Sequence, residues 1–212
     1  MMINKILEIF FPKTCTICGK MYKNWICPKC YFKIKSELKY CIIKEKDFHI
    51  MFLGFYENNL RSLLLRFKFN EKAYLSNFFI EAIKKNDNFI NCIKKYDYII
   101  PVPMHKNNKK IRGYNQTEIL AKKLAEECKI KYLENVLVKI RQNKRQSTLD
   151  RNQRRENVKD AYKLINSESI KDKKILLMDD IYTTGNTVEA CKNELKKGQA
   201  QEIDILVIAK KK

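Results

Sequence analysis

The sequence predicts an α/β fold, a mostly parallel sheet flanked by helices, with a small cysteine module in front. Two observations carry that expectation. From residue 48 to the end, apolar strand-like runs alternate with helical patterns, the order that βαβ units produce. Near the start, Cys15, Cys18, Cys27 and Cys30 form a C-x2-C-x8-C-x2-C array. Two such knuckles at that distance wrap one tetrahedral Zn2+ with four thiolates, and Gly19 suits the tight turn of the first knuckle. A length of 212 residues fits one medium domain plus an appendage. We therefore expect a module over residues 1–45 and an α/β domain over 46–212.

The elements follow in order. "MMINKILEIFFPKT" reads as a short amphipathic helix covering the core, with docking to a membrane surface as the alternative. It lacks a basic n-region and is broken by Lys5 and Glu8, so no secretory leader is expected. "FHIMFLGFY" reads as a strand, with His49 as a packed strand residue. "NNLRSLLLRFKF" and "EKAYLSNFFIEAIKKN" repeat apolar residues at helical steps. "YDYIIPVP" is a buried strand ended by Pro101 and Pro103. "QTEILAKKLAEECK" is an amphipathic helix capped near Thr117, and "NVLVKI" is a strand. "KILLMDD" is a strand, "TVEACKNELKK" a helix stopped by Gly198, and "EIDILVIAK" the last strand. Cys41, Cys92, Cys128 and Cys191 are scattered and read as small apolar residues.

Composition narrows the function classes. Hydrophobic residues make up 45% of the chain, which excludes global disorder. No apolar run approaches bilayer length. We expect a cytoplasmic protein, at most peripheral at the inner face of the membrane. The net charge of +20 attracts polyanions. Lysine is abundant everywhere, so arginine is more informative. There are eight arginines, and Arg141, Arg145, Arg151, Arg154 and Arg155 crowd into "RQNKRQSTLDRNQRREN", which has no helical or strand period. Guanidinium forks match phosphate oxygens, so this segment points to a phosphate-bearing partner.

In open α/β sheets, ligands sit beyond the carboxyl ends of the strands. Asp179 and Asp180 lie there, and so do Pro101 to His105, far apart in sequence but on one edge of the predicted sheet. The acids are followed by Thr183, Thr184, Gly185, Asn186 and Thr187 and then a helix. The turn offers N–H groups, hydroxyls and a helix N-terminus, which suit a monophosphate. The acids are acceptors, which suit a vicinal diol or a metal held by one. A sugar phosphate satisfies both halves. The chain has five glycines and none builds a G-x-G-x-x-G or P-loop pattern, so a dinucleotide or P-loop site is disfavoured.

The stretch "KILLMDDIYTTGNT" resembles the PRPP-binding motif of phosphoribosyltransferases. The wider pattern is similar to the ComF family of competence and DNA-uptake proteins: a cysteine knuckle, "RSLLLRFKF", "YIIPVPMHKNNKKIRGYNQTEILAKKLA", "RQNKRQSTLDRNQRRENVKDAY" and then the PRPP motif. The resemblance implies a type I phosphoribosyltransferase-like fold. It implies that Asp179 and Asp180 face the ribose hydroxyls and that residues 183–187 hold the 5-phosphate. The backbone of Val102, Pro103, Met104 and His105 would bind pyrophosphate. Lys68, Lys106, Lys109, Lys110 and Arg112 would add positive charge, with the arginine segment serving as a lid or a contact for single-stranded DNA. Mg2+ would accompany PRPP, and a protein of the competence machinery is a further expected partner. Two functions stand from this pattern. One is a DNA-uptake factor that binds PRPP. The other is an active transferase in which Asp179 and Asp180 serve the chemistry.

Overall fold

The structure is a computed structural model that describes residues 14–69, 72–141 and 160–212. The expected N-terminal helix lies outside them. The described chain opens on the cysteine module, residues 14–27, which leads into α1 (Pro28–Glu37). Strands β1 (Leu38–Glu45) and β2 (Phe48–Phe55) follow as a hairpin. Then come α2 (Asn58–Phe69), a 3-10 turn over Ala73–Leu75, α3 (Ser76–Lys84) and α4 (Asp87–Ile93). Strand β3 (Tyr98–Pro101) leads to α5 (Lys106–Arg112), α6 (Gln116–Cys128) and β4 (Lys131–Tyr132). The chain continues through β5 (Leu137–Lys139), β6 (Tyr162–Leu164), β7 (Lys174–Tyr182), α7 (Asn186–Lys197) and β8 (Glu202–Lys210).

The main sheet has the order β1-β2-β8-β7-β3-β4. All its pairs are parallel except β1 with β2. Strands β5 and β6 form a separate antiparallel pair. The main sheet therefore begins at Leu38, inside the stretch that the sequence reading assigned to the cysteine module. Cys41 belongs to this edge strand, opposite Phe52, and packs on the core rather than joining the other thiols.

Helices cover both faces, so the central strands are apolar on both sides, as parallel strands must be. Side chains alternate between two cores. On β7, Leu176 and Met178 join the core under α2, α3 and α6, while Ile175 and Leu177 join the core under α7 and β5–β6. On β8, Leu206 and Ile208 fall to the first core and Ile205 and Val207 to the second. Each fully buried aliphatic side chain contributes ~1.5–3 kcal/mol by leaving water. This alternation decides where the next two side chains of β7, Asp179 and Asp180, can go.

Two local expectations need correction. His49 is exposed rather than packed, at the amino end of β2. Its N–H donates to Asp204 Oδ1 at 2.6 Å and its Nδ1 lies 3.3 Å from Asp204 Oδ2. The cap of α6 is Asn115, whose Oδ1 accepts from the Thr117 N–H. The 102–105 turn leads straight into the short helix α5, capped by His105.

Candidate functional site

Parallel pairing sets β3 beside β7, with Pro101 opposite Met178. The Val102 N–H extends this ladder by donating to Met178 O at 2.8 Å. The 102–105 turn and the two acids therefore share one sheet edge, although they are about 77 positions apart in sequence. Asp180 follows the parity of Met178 and faces α2, where Lys68 Nζ lies 3.0 Å from its Oδ2. Asp179 faces the opposite layer, where Lys139 of β5, Tyr162 of β6 and Cys191 of α7 feel its charge. Asp179 Oδ1 also accepts the Asp180 N–H at 2.8 Å, which fixes the Asp179 carboxyl at the end of β7.

Two adjacent acids in a half-buried place cannot both ionise freely. Burial, and then the Asp180 charge, push the Asp179 carboxyl up to about 7. Lys68 is held above its ordinary value, chiefly by Asp180. Burial pushes Lys139 down. The edge thus carries a strained acid pair flanked by a lysine on each face.

After β7 the chain turns through Thr183 and Thr184, both exposed, to Gly185 at φ +77°. Gly185 caps α7, and its carbonyl accepts from the Glu189 N–H. A Cβ at Gly185 would run into the Tyr182 ring, with Cζ at 2.9 Å, so side-chain-free backbone is required twice over. The turn leaves the first N–H groups of α7 facing outward, the arrangement that binds phosphate.

Of the other predicted site residues, Val102 is an anchor. Its carbonyl accepts from Thr117 Oγ1 at 2.7 Å and Asn115 Nδ2 at 3.3 Å. Pro103 has no N–H, so Met104 and His105 carry the donors of this turn. Lys109 Nζ bonds Glu118 Oε2 at 2.7 Å, and Lys106 is exposed on the same helix. A cavity of about 470 Å³ opens here, lined by His105, Lys106, Lys109, Glu118, Asn135 and Lys139 among others. Arg112 sits half-buried, near enough to Lys68 for their charges to interact. Arg141 sits just past β5, while Arg145, Arg151, Arg154 and Arg155 lie outside the described residues.

Sequence reasoning missed Lys139 and Tyr162. They reach Asp179 only because β5 and β6 fold back over α7, and no local pattern signals that. It also missed the role of Tyr114 and Gln116. Tyr114 Oη donates to Phe67 O at 2.6 Å and Gln116 Nε2 to Lys68 O at 3.0 Å, tying down the end of α2. Their signal was the unusual Arg112–Gln116 run itself.

The four thiols of the array lie within 4.8 Å of one another. Zn–S bonds of ~2.3 Å at tetrahedral angles imply S···S separations of ~3.8 Å. The Cys18 and Cys27 sulfurs are 3.8 Å apart, so the donor set fits that ion. Gly19, at φ +74°, donates its N–H to Cys15 O, closing the first knuckle. Burial raises the Cys15 thiol, but N–H groups of Cys27, Cys18 and Ile17 aimed at its sulfur outweigh burial and bring it to about 6. Burial and the neighbouring thiols push Cys30 up to about 12. Without a cation, four thiols this close share their ionisation unequally. Among the described residues, His49, Glu202 and Asp204 also converge. Asp204 is already committed there, to the His49 N–H and to the Tyr96 O–H at 2.6 Å, and serves as a clamp at the amino end of the sheet.

Comparison with known proteins bears on this edge directly. A family profile described as "Phosphoribosyl transferase domain" matches residues 112–212, which contain both acids and the threonine turn. Competence protein F of Haemophilus influenzae is 28% identical over 225 residues, covering 95% of this chain and 98% of that one. Competence protein ComFC of Bacillus subtilis is 28% identical over 149 residues, covering 70% of this chain and 58% of that protein. Among solved structures, adenine phosphoribosyltransferase from Thermoanaerobacter pseudethanolicus superimposes with a TM-score of 0.41 at 14% identity, covering 84% of this chain and 98% of that one. With the parallel sheet, the acid pair and the four-cysteine module in place, the chain is similar to the ComF competence proteins over nearly its whole length and carries a type I phosphoribosyltransferase-like fold.

Proposed function

We propose that this protein binds PRPP with Mg2+ at the shared edge of β3 and β7 and acts in DNA uptake, contacting single-stranded DNA through its basic surface. One observation carries the reading. The pairing of β3 with β7 gathers, on one edge, acceptors for a ribose diol, a helix N-terminus for a phosphate and a turn with N–H donors. Asp179 and Asp180 take the ribose hydroxyls, residues 183–187 take the 5-phosphate, and Met104 and His105 face the pyrophosphate. The metal supplies charge neutralisation on pyrophosphate oxygens, and carboxylates are the hard oxygen donors it prefers. The thiols of Cys15, Cys18, Cys27 and Cys30 hold a structural Zn2+. Single-stranded DNA as partner rests on the competence names of the relatives, the charge of +20 and the arginine-rich segment. No helix among the described residues is long and apolar enough to cross a membrane, and we place the protein in the cytoplasm, at most peripheral to the inner face.

A second reading, transfer of the phosphoribosyl group to an acceptor, is favoured by the cavity beside His105 and Lys139, which has room for a base or nucleoside. Calorimetry with PRPP and Mg2+ tests the first reading. Asp179→Ala with Asp180→Ala removes two charge-assisted contacts, each roughly 1.5–3 kcal/mol, and takes a micromolar ligand out of range. Equal affinity in the wild type and the double variant rules the site out. Following pyrophosphate release against nucleobases and short DNA strands tests the second: release that depends on an acceptor establishes transfer.

A further inference from the structure

Lys68 is the group whose place differs most from what its sequence context suggests. At the end of a basic helix it reads as a contact for pyrophosphate or nucleic acid. Its Nζ instead sits on Asp180 Oδ2 at 3.0 Å, with the Asp180 side chain 10% exposed. Nothing about this placement is left to chance. The carbonyl of Lys68 itself accepts from Gln116 Nε2, and the preceding carbonyl, Phe67 O, accepts from Tyr114 Oη. Gln116 is 1% exposed, Asn115 2% and Thr117 4%. Buried polar side chains are costly unless bonded, so this row exists for the bonds it makes. Gln116 bonds to the end of α2, and Asn115 and Thr117 bond to Val102 O at the base of the 102–105 turn. One short segment therefore clasps both the lysine-bearing helix end and the turn.

We propose that Lys68 is a positioning residue of the sugar-phosphate site: its ammonium fixes the Asp180 side chain at the ligand-facing edge, and the Tyr114–Gln116 clasp holds the lysine there. The proposal rests on the sugar-phosphate reading above. Physically, two neighbouring carboxylates repel, and one loses its charge unless a cation stands next to the pair. A lysine fixed on one oxygen of Asp180 leaves its other oxygen as an acceptor for a ligand hydroxyl. The charged and titratable groups around the pair are Lys68 from α2, Arg112 at the end of α5, Lys139 from β5, Tyr162 from β6 and Cys191 from α7. Lys68 meets the pair in a direct ion pair, with Nζ 3.0 Å from Asp180 Oδ2.

The test uses full-length, zinc-replete protein and three variants: Lys68→Met, Lys68→Arg and Tyr114→Phe. Two measurements are made on each. The first is the affinity for Mg2+–PRPP, for ribose 5-phosphate and for pyrophosphate alone, by calorimetry. The second is the titration of the two carboxyls in ligand-free protein, by NMR of 13C-labelled aspartate assigned with Asp179→Asn. We expect Lys68→Met to weaken PRPP and ribose 5-phosphate alike, by roughly ten- to a hundred-fold, as for loss of a charge-assisted bond. It should spare pyrophosphate and move the carboxyl titrations to higher pH. Lys68→Arg restores most of both properties. Tyr114→Phe, with the lysine intact, shows a smaller change in the same direction because the helix end is looser. A Lys68→Met protein that loses pyrophosphate affinity with unmoved carboxyl titrations overturns the proposal and makes Lys68 a pyrophosphate ligand. Unchanged affinities and titrations overturn it as well, leaving an ordinary ion pair. If wild-type protein takes neither PRPP nor ribose 5-phosphate, the sugar-phosphate reading fails, and the ligand-free titrations still decide whether Lys68 governs Asp180.

Discussion

Replacing Asp179 by asparagine should stabilise the ligand-free protein, and only at neutral to alkaline pH. The carboxyl is held near 7 in the fold against an ordinary 3.8, because it is half-buried beside Asp180. A group raised in this way contributes stability that is fully present below its unfolded value and is lost as pH rises through its folded value. The wild type therefore sheds stability between about pH 4 and pH 8, while the asparagine variant, which has no proton to lose, does not. Asparagine keeps an oxygen to accept the Asp180 N–H, so the local geometry survives. At ~1.4 kcal/mol per pH unit, a gap of about three units sets an upper bound of ~4 kcal/mol. Water reaches part of the group and Lys68 and Lys139 offset some of its charge, so we expect about half, ~2 kcal/mol. For a protein of this size that corresponds to roughly 4–8 °C in melting temperature. The assay is thermal unfolding of both proteins at pH 5 and pH 8, zinc-replete and in buffers free of phosphate. Over a third of the loss is already complete at pH 5, so the advantage of the variant should grow by roughly 1 kcal/mol, about 2–4 °C, between the two conditions. An advantage that is the same at both pH values, or larger at pH 5, refutes the account of the acid pair.

The other predictions are more direct. Metal analysis of protein purified without chelator should find about one zinc per chain, and Cys15→Ser with Cys18→Ser should abolish it. Unchanged zinc in that variant would place the metal elsewhere. Gly185→Ala forces a β-carbon into the left-handed region and against Tyr182, at a cost of roughly 2–4 kcal/mol. It should lower the melting temperature by about 4–16 °C, and a neutral result would mean that the turn is not held as described. Arg151→Ala with Arg154→Ala and Arg155→Ala should flatten the salt dependence of single-stranded DNA binding by about two log–log units if all three neutralise phosphates. Anisotropy with a labelled oligonucleotide reads this out, and a wild-type slope moves the DNA surface elsewhere.

Local pattern made much of this protein legible. The alternation of apolar runs and helical repeats was enough for a parallel α/β sheet, since both periods are set by backbone geometry and survive in one dimension. The C-x2-C spacings announced a thiol cluster because both knuckles are local turns. The Asp179–Thr187 motif was readable for the same reason: strand, acids, turn and helix N-terminus are contiguous. The shared edge of the 101–105 and 179–180 segments was legible too, because both end buried strands of one parallel sheet. What the sequence hid was which side chains meet across distant segments. The hairpin partner of β2 was missed because β1, an edge strand, does not carry a continuous apolar run. The charge of Asp179 felt by Lys139 and Tyr162, and the pairing of Lys68 with Asp180, follow from strand order and from the parity of side chains along β7. No residue states its own parity until a neighbouring strand and a helix on each face define which side is which. The same holds for the Arg112–Gln116 run. Its charge suggested a phosphate contact, whereas in the fold its tyrosine and glutamine tie the α2 end to the carboxyl edge of the sheet, a role that exists only once the two helices meet.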